Sequence, residues 1–218
     1  MGQYWKPVME AKDGKRYYVC THYWDNGYKF MEHSWIGNHV PNVVMHMIYK
    51  NPMKVSWVGD YCDKPIGKDG PIGETLWEEN ANDQMWSLIN KSEIPGHMKD
   101  DIPEKIEDIS DSEVKDFMKK FNDENIVNYN IVNHTKKQYL SMKEYMNAVK
   151  DEEWKMHPLP VLTAGPSMDY GGGDYHESCA INWDKVGIWS WDVVSVEEDV
   201  PEGYEKVDVE KYTFKELR

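Results

Sequence analysis

The strongest constraint on this chain is a turn near its start. Lys12-Asp13-Gly14-Lys15 lies between two runs, 4–10 and 16–22, that read as strands. Asp-Gly between such runs signals a β-hairpin, because both residues tolerate the positive φ of the turns whose twist matches the flanking strands. A chain that opens in this way places its first two strands side by side and antiparallel. A second turn, Asp25-Asn26-Gly27, precedes a predicted strand over 28–32, and Met53, Val55 and Trp57 alternate against Lys54 and Ser56 in another over 53–59.

Helical periodicity appears between and after these strands. Val40, Val43, Val44, Met47 and Ile48 form one apolar face over 40–49, with Pro41 in the first turn and Asn51-Pro52 as the stop. Leu76, Trp77, Met85, Trp86 and Ile89 predict a helix over 75–90. Val114, Phe117, Met118 and Phe121 predict one over 112–121. The capping box Ser141-Met142-Lys143-Glu144 opens a fourth, 142–150. Strands are predicted over 126–134 and 186–196. Residues 157–163, with two prolines, are expected to be extended, since a residue before Pro avoids the α region. The expectation is an α+β fold, a mainly antiparallel sheet with four or so helices packed on it, in a single domain spanning 1–218. Each half passes from strand to helix and then through a Gly-rich acidic loop. Two related lobes, 1–90 and 126–218, joined by the acidic segment 91–125, are therefore the alternative organisation.

Charge and cysteine content narrow the partners. With 39 acidic and 25 basic residues the net charge is -14, which repels phosphate backbones and disfavours direct nucleic-acid binding, while it would attract a basic protein. Ten Trp and 14 Tyr supply enough aromatic area to argue against a disordered chain. The three cysteines, Cys20, Cys62 and Cys179, are odd in number and widely spaced, which predicts reduced thiols and a cytoplasmic setting. No apolar run is long enough for a membrane span, and 1–7 lacks an export signal core.

Two loops share Gly-Asp-Tyr followed by a second carboxylate: Gly59-Asp60-Tyr61-Cys62-Asp63 and Gly171-Gly172-Gly173-Asp174-Tyr175-His176-Glu177. Consecutive glycines let backbone approach a ligand closely and expose N–H groups, and Asp, His and Glu can orient it, move protons or hold a divalent metal. The candidate ligand-binding residues are thus Asp60, Tyr61, Asp63, Gly172, Gly173, Asp174, Tyr175, His176 and Glu177. His33 and Asn38 join them, beside Trp35 and ahead of a helix N-terminus that suits an anion. The plain alternative is that both Asp residues form turns, that Asn38 caps the helix and that His33 is a core residue. There is no HExxH, P-loop, GxSxG or dinucleotide fingerprint; no metal site is assigned and no cofactor is implied.

Several segments, in this order, are similar to an uncharacterised family of bacterial and phage proteins. They are Met1-Gly2-Gln3-Tyr4-Trp5-Lys6, the run 29–38 that holds Phe30-Met31-Glu32-His33, the turn Trp57-Val58-Gly59-Asp60-Tyr61, and the runs 132–139, 157–163 and 171–175. The resemblance implies a bacterial or phage setting, and with it a role in defence or counter-defence. Trp189-Ser190-Trp191-Asp192 departs from the Trp-Ala-Gly-Asp of such proteins, so no role passes to Asp192. Three functions follow: a binder of a small, nucleotide-like ligand, a metal-assisted hydrolase using the Asp/His/Glu cluster, or an acidic inhibitor that imitates DNA.

Overall fold

A computed structural model describes residues 3–24, 26–79, 85–94, 96, 106–166 and 185–212. The opening hairpin is present: β1 (Trp5–Glu10) pairs antiparallel with β2 (Arg16–Val19), with Glu10 opposite Arg16. The loop closes on Ala11 N–H donating to Lys15 O at 2.8 Å, and Gly14 takes φ 85°, the left-handed position that a three-residue hairpin loop needs. On its other edge β1 pairs along its whole length with β3 (Met53–Gly59), from Trp5 opposite Gly59 to Glu10 opposite Lys54. β8 (Val193–Glu197) then joins β3 to β6 (Asn130–Asn133), and β7 (Gln138–Ser141) follows. All these contacts are antiparallel. The flanks are parallel: β4 (Met85–Ile89) beside β2, β5 (Ile106–Asp108) beside β4, and β9 (Glu205–Lys206) beside β7. The described sheet has nine strands in the order β5-β4-β2-β1-β3-β8-β6-β7-β9. It is mixed, in place of the mainly antiparallel sheet expected, because hairpin signals report only neighbours in sequence and these three contacts are made by strands that return from a distance.

Six α-helices accompany the strands among the described residues: α1 (Phe30–His33), α2 (His39–Ile48), α3 (Gly73–Glu78), α4 (Asp111–Lys120), α5 (Met142–Ala148) and α6 (Pro158–Leu162). The helical reading of 40–49 matches α2, where Val40, Val43, Val44 and Ile48 are fully buried. Each such side chain contributes roughly 1.5–3 kcal/mol relative to exposure. They meet Trp5, Met9, Val55 and Trp57 in the larger core. Lys6 and Val8 alternate onto the opposite face, where Val8, Tyr18, Val58, Cys62, Ile66 and Leu76 form a smaller core under α3. The readings of 112–121 and 142–150 correspond to α4 and α5. Ser110 and Glu113 form a reciprocal capping box on α4, whereas on α5 Ser141 Oγ accepts from Glu144 N–H at 3.5 Å and the Glu144 carboxylate pairs with Lys206 at 2.8 Å.

Five predicted elements take other forms. Residues 28–32 are not a strand. Lys29 N–H donates to Glu32 Oε2 at 2.9 Å, which closes the turn of α1 and sets Phe30 edge-on against Trp5. The predicted helix 75–90 is two elements, α3 and β4; the apolar positions fit either reading, and the free edge of β2 takes Met85–Ile89 as a partner. Residues 157–163 are mostly helix. Pro158 occupies the first helical position and Pro160 also lies in the first turn, where no intrahelical N–H partner is required; only the capping residue His157 is extended, at ψ 126°. The long strands are shortened: Ile126–Asn128 is a 3-10 turn before β6, and 185–192 turns through Gly187 at φ 70° and Trp191 at φ 61° before β8 begins. A Cβ at Gly187 would lie 2.5 Å from Ala164 O.

His157 fixes its own protonation state. Its Nδ1 accepts from Leu159 N–H at 3.1 Å as the cap of α6, and Nε2 faces Met45 Sδ at 3.1 Å. The ring is fully buried, and burial pushes its pKa down to about 3. The unfolded chain binds a proton here below pH 6.5 and the folded chain does not, so stability falls with pH through the window from 6.5 towards 3. His157→Asn keeps a capping acceptor and removes the titration. Urea unfolding at pH 7, 5.5 and 4 should show a shallower loss for the variant, by about 1.4 kcal/mol per unit of pH at most. An equal loss in both chains would mean that His157 is not the responsible group.

Candidate functional site

The first Gly-Asp-Tyr turn extends the β1–β3 ladder. Asp60 N–H donates to Tyr4 O at 3.0 Å, and Asp60 Oδ1 accepts from Tyr4 N–H at 2.9 Å. Burial raises the Asp60 carboxyl pKa above its ordinary value, against the lowering effect of the Tyr4 hydrogen bond. One carboxylate oxygen is thus engaged in holding strands together. Tyr61 and Asp63 are exposed, and Asp63 N–H donates to Tyr61 O at 3.0 Å. The second loop, with Gly172, Gly173, Asp174, Tyr175, His176 and Glu177, lies outside the described residues, as does Cys179. Among the described residues no group of three or more His, Cys, Asp and Glu side chains is placed to hold a metal.

His33 is fully buried beside Phe30, with Nδ1 3.3 Å from Gly27 O and Nε2 without a hydrogen-bond partner among the described residues. Burial drives its pKa down to about 4, so it is neutral at pH 7. Asn38 Oδ1 accepts from Val40 N–H at 2.8 Å, and its amide donates to Asn26 at 2.6 Å; this side chain caps α2. Asp192, which the sequence left without a role, pairs with Lys136 at 3.1 Å and accepts from Asn133 at 2.8 Å, tying β8 to the β6–β7 hairpin. Asp60 is held by Tyr4 and His33 by Gly27, and no described hydrogen bond or ion pair joins the two candidates.

Sequence reasoning missed Lys6. It stands on the smaller-core face of β1 with 5 % of its surface exposed. Its Nζ donates to Trp77 O at 2.8 Å and lies 4.0 Å from the centre of the Trp77 ring and 5.0 Å from that of Tyr18. No described carboxylate stands within ion-pair distance. Burial lowers its pKa to about 7, against the raising influence of Cys20 and Asp60. Cys20 is a free thiol pushed up to about 11 by burial. A buried amine that is half protonated near neutrality can give or take a proton, which a surface lysine cannot. The signal was available: Lys6 occupies a position between Trp5 and Val8 in a strand whose alternation directs it inward.

A cavity of about 660 Å³ opens at the other end of β1 and β3, between the hairpin loop and the turn from α2 into β3. Ala11, Pro52, Met53 and Val193 form its apolar wall, with Lys12, Lys54 and Glu10 as its charged groups. Glu10 accepts from Lys54 Nζ at 2.8 Å and Arg16 Nε at 2.9 Å. Burial opposes its ionisation, and the two hydrogen bonds outweigh this, holding the carboxyl below its ordinary range. Arg16 in turn reaches Glu79 at 2.7 Å.

No family model matches the chain, no curated protein is similar to it, and no solved structure matches its fold.

The buried amine predicts a pH dependence. The unfolded chain keeps the Lys6 proton up to pH 10.5 and the folded chain releases it near 7, so stability rises with pH above 7. Between pH 7 and 8.5, below the range in which Cys20 titrates, the natural chain should gain stability on the order of 1 kcal/mol and Lys6→Met should gain none. Urea unfolding at the two pH values measures this; a slope retained in Lys6→Met would assign it to another group.

Proposed function

We propose that the protein binds a small organic anion in the cavity between the β1–β2 loop and the start of β3. The observation that carries this reading is the cavity itself: about 660 Å³, apolar along one wall, with Lys12 and Lys54 among its charged groups. That size and composition are those of small-molecule sites, in which apolar surface supplies affinity and a few polar groups supply orientation. The net charge of -14 repels anions in general, so a place where two ammonium groups meet an apolar wall is selective by contrast. Glu10, the carboxylate in the lining, is already compensated by Lys54 and Arg16. An anionic head would draw Lys54 away from Glu10, which keeps Arg16. Its apolar body would rest on Pro52, Met53 and Val193. A nucleotide-like ligand satisfies this description, as do aromatic and aliphatic carboxylates. A cytoplasmic setting belongs to the same proposal and is supported by the free thiol of Cys20.

Thermal unfolding with a panel of nucleotides and organic acids provides the test. A ligand at about 100 times its Kd should stabilise the natural chain by about 2.7 kcal/mol. Lys54→Met should weaken that ligand about tenfold or more, while Lys143→Met, an equal change of charge on the exposed face of α5, should leave it unchanged. Equal weakening by both substitutions would point to general electrostatics and sink the cavity as the site.

A further inference from the structure

Three aromatic side chains meet where two helices end. Tyr49 follows α2, Phe121 follows α4, and Tyr129 follows the 3-10 turn Ile126–Asn128. Their rings stand edge to face around one point: Tyr49 and Tyr129 at 5.9 Å and 90°, Phe121 and Tyr129 at 5.2 Å and 60°, Tyr49 and Phe121 at 6.4 Å and 66°. The Tyr49 backbone is fixed by a bridge to Val196, and its hydroxyl donates to Glu198 at 2.6 Å. Phe121 is fully buried as the floor, while Tyr49 and Tyr129 are half-buried walls open to solvent.

This space already contains a cation. The Lys120 ammonium lies 3.0 Å from the centre of the Tyr49 ring, 5.5 Å from that of Phe121 and 5.8 Å from that of Tyr129. It makes no hydrogen bond and no ion pair with any described residue. Glu198 contributes at longer range, and its other oxygen is taken by Lys50 at 3.1 Å. Ring faces, a carboxylate at the rim and the C-terminal ends of α2 and α4 all favour positive charge at this point. Yet no described acceptor among them stands within hydrogen-bond distance of the ammonium, whose three N–H groups face ring surface in place of oxygen. A cation without N–H groups fits the surroundings better than lysine does, because methyl groups can lie on the rings and no donor is left to satisfy.

We propose that Tyr49, Phe121 and Tyr129 form an aromatic cage for a quaternary ammonium group, and that Lys120 is an internal occupant which the ligand displaces. This site is separate from the cavity beside Glu10 and does not depend on it. The head group could be carried by a small solute such as choline or by a trimethylated lysine of another chain; the chemistry of recognition is shared.

Tetramethylammonium chloride is the probe for the head group, titrated against a sodium chloride blank of equal ionic strength while the Tyr49 and Tyr129 ring protons are followed by NMR. Lys120→Ala should bind it about tenfold tighter than the natural chain, because the competing ammonium is gone. Adding Tyr129→Leu, which keeps apolar volume and removes the ring face, should weaken binding about tenfold in that background. Thermal melts verify that each variant is folded; Lys120→Gln, which keeps the stem without the charge, replaces Lys120→Ala if that chain unfolds. Choline and a short trimethyllysine peptide are then compared, and binding of either that depends on Tyr129 supports the site and names the carrier. The proposal is overturned if the uncharged Lys120 variant shows no saturable ring shift, or if Tyr129→Leu leaves the affinity unchanged.

Discussion

Strand β1 is the element on which the rest depends. All six of its residues pair with β3, and Val8, Met9 and Glu10 also pair with β2, so neither neighbour can shift register without breaking a ladder. Alternation along those residues feeds two cores. Trp5 and Met9 go beneath α2, and Lys6 and Val8 go beneath α3. The ends of β1 also carry the features of chemical interest. Its start is held to Asp60 by paired backbone and carboxylate bonds, and its last residue, Glu10, organises Lys54 and Arg16 at the cavity.

Among the described residues the buried titratable side chains His33, His157 and Lys6 are each shifted by burial towards the neutral form. His33 and His157 are fully buried and both are driven well below the ordinary histidine range, so they act as neutral rings; His157 uses one nitrogen as a helix cap. Ser56 Oγ lies 2.8 Å from Ser190 Oγ and donates to Thr163 O at 3.1 Å. Lys6 is the hardest case. One carbonyl and two ring faces receive an ammonium that would otherwise require a carboxylate, and its lowered affinity for the proton is the direct consequence.

The basic residues of this acidic chain repeatedly rest on aromatic rings. Lys15 lies between Tyr17 and Trp86 and also pairs with Glu107, while Lys54 approaches Trp191 at 5.6 Å. Such contacts use the aliphatic stem and the charge together. Lys120 differs because its three rings surround the ammonium without a carboxylate at contact distance, which is why a displaceable occupant is a sensible description of it and not of Lys15.

By itself the sequence determined the local elements whose causes are local. The Asp13-Gly14 hairpin, the apolar face of α2, the Ser141 cap and the mixed α and β character were all legible, because each depends on residues a few positions apart. It also named Asp60, His33 and Asn38 as unusual polar residues, though not what holds them. Where a segment satisfied two local rules, the sequence could not choose: 75–90 fits one helix or a helix and a strand, and His157 to Leu162 obeys both the restriction before proline and the tolerance of proline in a first turn. Only the tertiary structure decided these, through the open edge of β2 and the burial of α6. It alone assembled the sites as well. Lys6 meets Trp77 across 71 positions and Tyr49 meets Glu198 across 149, and no periodicity within a window can report a contact made by chain folding back on itself.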